Sequence, residues 1–197
     1  MSIKVCKFGG TSMADGTIIR RAAEIVNADA ERRYVVVSAP GKRFGGDIKV
    51  TDLLYRCHEL ASSGADFGEV FSKIRSRFEG MEKELGKDVG MGKALDEIER
   101  NIRAGAGRDY CASRGEYLAG RLMAAVLDVP FVDAEEIVLF APDGSLDENT
   151  YALAASVLRK YPRAVIPGFY GRGEQTAKSA PFPAEAAIFQ APSSRGR

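Results

Sequence analysis

The run Tyr34-Val35-Val36-Val37 carries no charged or strongly polar residue on either side of the two-residue alternation of an extended chain. A strand with one wet face alternates apolar and polar residues. One that is apolar throughout is covered on both faces, which is the condition of a parallel sheet sandwiched by helices. The neighbouring segments fit that architecture. Ile3–Lys7 is a short β-type run ending at Gly9-Gly10, and from about Asp15 to Ala30 the residues Ile18, Ala22, Ile25 and Val26 recur at helical spacing. A helix is expected from about Thr51 to Ser62, then two charged amphipathic helices over 66–104, split near Gly86–Gly92. A long helical pattern opens around Ser113 and ends at Asp128, and Pro130 introduces a strand, PFVD. A last helix over about Glu148–Lys160 precedes the strand Ala164–Ile166 and the turn Pro167-Gly168. Strand–helix alternation of this kind predicts an α/β domain, with no internal repeat. Ligands of such sheets sit at the carboxyl ends of the strands, where Phe8–Ser12, Ser38–Gly41 and Pro167–Tyr170 all fall.

Composition excludes several classes of function. Lysine and arginine number 28 against 27 aspartates and glutamates, a net charge of +1, which argues against a nucleic-acid footprint or a polybasic membrane patch. No apolar run approaches the roughly 18 residues of a membrane span. The N-terminus MSIKVCKFGG shows no secretory h-region. Cys6, Cys57 and Cys111 are too widely spaced for a metal knuckle and odd in number, so free thiols and a cytoplasmic location are expected. His58 is the single histidine, which removes zinc sites and most nucleophile–histidine mechanisms; it is expected at or near the surface of its helix.

Two segments carry candidate chemistry. Lys7-Phe8-Gly9-Gly10-Thr11-Ser12 places a cation at a strand end, then two residues without a side chain, then two hydroxyls. Backbone N–H groups in such a loop can approach an anion closely. A tight turn beside a solvated lysine explains the same residues. The loop lacks the GxxxxGK[ST] spacing of a P-loop, and GAGRDY at 105–110 is not GxGxxG. Ser113-Arg114-Gly115-Glu116 reads as a capping box, with Ser113 the N-cap and Glu116 at the third helical position. Glu116 could equally face a strand-end cleft and hold an ammonium group.

Five segments in order, KFGGTS (7–12), VVVSAPGK (35–42), VTDLL (50–54), SRGE (113–116) and VIPGFYG (165–171), resemble the N-terminal catalytic domain of aspartate kinases, within the amino-acid kinase family. The resemblance covers residues 3 to about 173 and implies an α/β/α sandwich on a mainly parallel sheet, incomplete at its C-terminal side. It also implies ATP, accompanied by Mg²⁺, as donor and the β-carboxylate of L-aspartate as acceptor. A carboxylate is ionised at neutral pH and needs no general base, so the chemistry rests on positioning and charge neutralisation. On this resemblance Lys7 contacts the transferring phosphate, and Phe8, Gly9, Gly10 and Ser38 line the phosphate side. Thr51 and Glu116 hold aspartate, Glu116 through the ammonium group. Neither nucleic acid nor membrane is an expected partner, and the sequence leaves room for a homo-oligomer. Two other readings stay open: a non-catalytic aspartate-binding or subunit-interaction fragment, and a kinase of another amino-acid carboxylate.

Beyond Gly173 the resemblance implies a segment reading roughly TFSRGGSD and then the nucleotide-binding half. The chain instead runs AKSAPFPAEAAIFQAPSSRGR, and residues 174–197 are expected to be a disordered tail. Back-translated within codon degeneracy from Lys178 and read from the third base, this tail spells VRTFSRGGSDISGAIVAR. It is therefore expected to be a kinase coding sequence read out of frame after loss of one nucleotide between about Gly171 and Lys178.

Overall fold

The computed structural model describes residues 2–173 and the backbone of 176–181. Three parallel strands form the main sheet in the order β1 (Lys4–Phe8), β2 (Arg32–Val37), β4 (Ala164–Pro167). Val37 is level with both Phe8 and Pro167, so the three carboxyl ends lie in one line. The expected PFVD strand is reduced to a single parallel bridge from Phe131 to Val165 at the far edge of β4. A second small sheet joins β3 (Leu139–Phe140) in parallel to β5 (Tyr170–Gly173), which pairs antiparallel with β6 (Thr176–Pro181). The periodicity had suggested neither β3 nor β5, since two- and four-residue strands are too short to show a period. β6 falls inside the segment expected to be disordered, and 182–197 lie outside the described residues.

The alternation of β2 is visible in its two coverings. Val35 and Val37, with Val165 of β4, enter a large core with α1 (Gly16–Asn27), α2 (Val50–Ser62), α3 (Gly68–Leu85), α4 (Met91–Arg103) and α5 (Arg108–Leu127). Tyr34, Ala164 and Ile166 pack instead on Val132, Ile137 and Tyr170, joined by the half-buried Val157 and Leu158. Of these, Ile137 lies in α6 (Ala134–Ile137), Tyr170 in β5, and Val157 and Leu158 in α7 (Asn149–Leu158). A parallel sheet with helices on both faces is thus the observed architecture. Helix ends follow local chemistry: the Asp15 carboxylate caps α1 by accepting from the Ile18 N–H, and Gly86 closes α3 in the left-handed conformation.

The central element is α5, and it begins five residues before Ser113. Gly107 is its N-cap and Asp109 lies in its first turn, so SRGE sits inside the helix and is no capping box. The Ser113 hydroxyl donates to the Tyr110 carbonyl at 2.7 Å, the usual recourse of a serine in a helix interior. From Cys111 to Ala124 nearly every residue of α5 is buried, because the helix is enclosed by α1, α2, α4 and the sheet. Gly115 permits the tightest approach: a Cβ there would lie 2.7 Å from the Ala39 Cβ and 3.3 Å from Val50. Replacing Gly115 by valine is expected to destabilise the fold by about 2 kcal/mol or more through overpacking. Gly80, exposed in α3 with open space around it, should gain about 0.5–1 kcal/mol when replaced by alanine. Urea denaturation of the two variants checks both signs.

Candidate functional site

Three loops leave the aligned strand ends and are sewn together by their backbones. The Ser38 N–H donates to the Phe8 carbonyl at 3.1 Å, and the Gly168 N–H to the Val37 carbonyl at 2.8 Å. After β1, Gly9 is extended and the chain turns through one 3₁₀ turn, Gly10–Met13. The Gly41 N–H donates to the Gly10 carbonyl at 2.7 Å. A Cβ on Gly10 would lie 2.8 Å from the Ala39 carbonyl oxygen, and one on Gly41 2.7 Å from the Gly10 carbonyl carbon. Only glycine at both positions lets the two loops touch. At the end of β4, Phe169 adopts φ +75°, a costly conformation for a bulky side chain and one that clusters at binding sites.

Helices close the site from the side. The Val50 N–H donates to the Pro40 carbonyl at 3.1 Å, so α2 starts against the loop and carries the half-buried Thr51 in its first turn. Next to Gly115, Glu116 is 5% exposed with its carboxylate against the same loop. Burial pushes its pKa up to about 7, while the Ala39 N–H and the Arg114 charge pull the other way. One carboxylate oxygen, Oε2, is buried with no hydrogen-bond partner among the described residues. Arg114 stands beside it, its guanidinium 4.6, 4.9 and 5.2 Å from the ring centres of Tyr110, Tyr117 and Tyr170 and 3.4 Å from Glu135.

The structure therefore gathers Phe8, Gly9, Gly10, Ser38, Thr51 and Glu116 around one set of loops. Lys7 lies one residue before the end of β1 with its side chain exposed to solvent. His58 is half-buried on α2, with Nδ1 3.4 Å from the Ser62 hydroxyl. Among the described residues no three histidine, cysteine, aspartate or glutamate side chains gather to hold a metal. Burial pushes the Cys57 and Cys111 thiols up to about 12 and about 11, which makes both inert. A glycine loop beside a lysine suits an anion, and a buried carboxylate with a free oxygen suits a cation, so the pair matches a ligand carrying both.

Arg77 escaped the sequence reading. Its guanidinium is buried beneath the loops and donates to the carbonyls of Ala14 at 3.0 Å, Ile48 at 3.1 Å and Gly41. A signal existed: in α3 the buried stripe runs Phe71, Ile74, Phe78, Met81, and Arg77 occupies that stripe three residues after Ile74.

Residues 2–182 match the amino acid kinase family. Aspartokinase 3 of Bacillus subtilis is 41% identical over 142 residues, 68% of this chain and 31% of that protein. The chloroplastic aspartokinase 1 of Arabidopsis thaliana is 28% identical over 196 residues, 87% of this chain and 34% of that one. Among solved structures, the aspartate kinase of Clostridium acetobutylicum superposes with a TM-score of 0.89 at 39% identity, covering 92% of this chain and 42% of that one. Aspartokinase III of Escherichia coli, solved with aspartate and ADP, gives a TM-score of 0.76 at 26% identity, covering 93% and 44%. The chain thus spans about a third of these curated relatives and less than half of these solved ones.

The raised pKa of Glu116 makes stability depend on pH. Between about pH 4.5 and 7 the folded protein keeps a proton that the unfolded chain releases, so stability falls as pH rises through that window and levels off above it. The loss amounts to roughly 3 kcal/mol at most. Glu116→Gln should flatten this slope, as read from urea midpoints at pH 5 and pH 8.

Proposed function

Because the chain belongs to the amino acid kinase family, we propose that it carries the acceptor side of an aspartate kinase, which transfers the γ-phosphoryl group of ATP to the β-carboxylate of L-aspartate. One observation carries the assignment: a buried carboxylate, Glu116, with an unpartnered oxygen beside the loop after β2. A buried carboxylate without a full set of partners is costly to the fold. An ammonium group supplies the missing donor and the missing charge. Thr51, half-buried in the first turn of α2, is assigned to the same amino acid, and the likeness of its TDLL segment and of SRGE to aspartate kinases is what favours aspartate.

The phosphate side falls to the loop after β1. Gly9 and Gly10 offer backbone N–H donors, Phe8 and Ser38 flank them, and Lys7 neutralises charge that develops on the transferring phosphoryl group. Mg²⁺, arriving with ATP, supplies further charge neutralisation. The acceptor is already an anion, so no residue of this chain has to remove a proton. The structure of the E. coli relative with aspartate and ADP supports the choice of an amino acid and a nucleotide as ligands.

Two measurements test the proposal. Binding of an ammonium group beside Glu116 should lower its pKa, so aspartate binding near pH 6 should release close to one proton. Calorimetric titration in buffers of different ionisation enthalpy measures it. Glu116→Gln should abolish the release and weaken binding by at least about 30-fold, the scale of truncating one partner of a buried charge pair. Binding without proton release, or unaffected by the substitution, refutes the assignment. We further propose that this 197-residue chain binds aspartate without turnover, so that no aspartyl hydroxamate forms with ATP and hydroxylamine. Restoring the reading frame upstream of the Lys178 codon should restore turnover. In that product Lys7→Ala should lower turnover on the order of 10²–10³-fold.

A further inference from the structure

We propose that Arg77 is a positioning residue whose buried guanidinium sets the distance between the loop after β1 and the loop after β2. The first loop ends at Ala14 and the second contains Gly41 and Ile48, and Arg77 donates to the carbonyls of all three. Its Nη1 also lies 3.5 Å from the Asp47 carboxylate, which Arg43 grips with two hydrogen bonds of 2.7 and 2.9 Å. Of the three guanidinium nitrogens of Arg77, Nε is the one with no hydrogen-bond partner among the described residues.

Four features set this arrangement apart from an ordinary buried ion pair. The acceptors belong to separate loops and the donor to a third element, α3, so a single planar group fixes three pieces of chain at once. The fork of a guanidinium can reach diverging carbonyls simultaneously, whereas an ammonium on a flexible stem cannot do so with the same geometry. The clamp lies behind the Gly10–Gly41 contact, in which the loops touch through backbone alone and no side chain can adjust the gap. Arg77 touches none of Lys7, Thr51 or Glu116 in any hydrogen bond or ion pair, so its influence on a ligand runs through the loops. The functional half of this proposal rests on the aspartate-site assignment above, and the structural half does not.

A cavity of about 290 Å³ has Asp15, Arg43, Arg77 and Glu84 among its lining residues. The test therefore uses Arg77→Lys, Arg77→Ala, and Arg77→Ala with guanidinium far below denaturing concentrations. Arg75→Ala serves as the control, since that half-buried arginine of the same helix ion-pairs with Asp96 and Glu99 of α4 and with neither loop. The first readout is amide exchange of Gly41, whose N–H is held by Gly10, compared with amides of α4, and in the Arg75→Ala control Gly41 alone is read because that variant loses ion pairs to α4. In Arg77→Lys exchange at Gly41 should rise on the order of tenfold while α4 amides keep their protection. Guanidinium, but not sodium at equal ionic strength, should reverse the effect in Arg77→Ala, and Arg75→Ala should show none. The second readout is aspartate affinity, expected to fall on the order of tenfold in Arg77→Lys and to recover with guanidinium in Arg77→Ala. Unchanged Gly41 exchange in Arg77→Lys, or a uniform rise across α4 as well, overturns the proposal. Should Arg77→Ala not fold, the lysine variant decides alone. Should the parent protein fail to bind aspartate, the assignment of function falls and the exchange measurement still decides the role of Arg77.

Discussion

The site depends on one backbone contact. Gly10 and Gly41 meet through an N–H to carbonyl bond of 2.7 Å, at a separation that any Cβ would forbid. Strand register brings them there, because Phe8, Val37 and Pro167 end on one level and the chains that follow emerge side by side. Arg77 then gathers the outer carbonyls of both loops beneath them. Desolvation pulls the Arg77 pKa down, and the Asp47 charge opposes that effect. Arg43 in turn holds the Asp47 carboxylate well below the usual range. The cation therefore has a compensating anion, as a buried charge requires.

Against this charge-compensated cluster stands Glu116, a carboxylate removed from water and left with a free oxygen. Its neighbourhood is dictated by packing: Gly115 lets α5 lie against Ala39 and Val50, and the next residue is carried under the loop. A fold that leaves a carboxylate oxygen buried without a partner departs from local consistency where a ligand is expected. Phe169, held at positive φ on the neighbouring strand end, is a second departure in the same region. Both cost stability, and both lie where the carboxyl ends of the strands converge.

Much of this was legible in the residues. The apolar run of β2 implied a sheet covered on both faces, and its alternate residues indeed enter two different cores. The helices α1 to α4 and α7 follow their periodicity closely, since an amphipathic stripe is a local property. SRGE was misplaced as a helix start because a serine followed by a glutamate three residues on satisfies the capping pattern wherever it occurs. The preceding stretch GAGRDYCA looks like a loop until its neighbours bury it. The small strands β3 and β5 were invisible because their pairing, across distant parts of the chain, is not a local property. Arg77 was overlooked because an arginine is ordinarily a surface residue, and only its place on a buried stripe distinguished it.

By itself the sequence determined the class of fold, the strand-end loops and the chemical types available there: a lysine, two glycines, hydroxyls and a carboxylate, with a single histidine in the whole chain. It did so because propensity, periodicity and loop chemistry are written within short windows. Tertiary structure decided the rest. It determined that Glu116 is buried and half-satisfied, that the Gly10 and Gly41 backbones touch, and that Arg77 ties their loops together from a third element. Those properties arise from residues far apart in the chain, and burial changes their energies through dielectric and desolvation, which no short window of sequence contains.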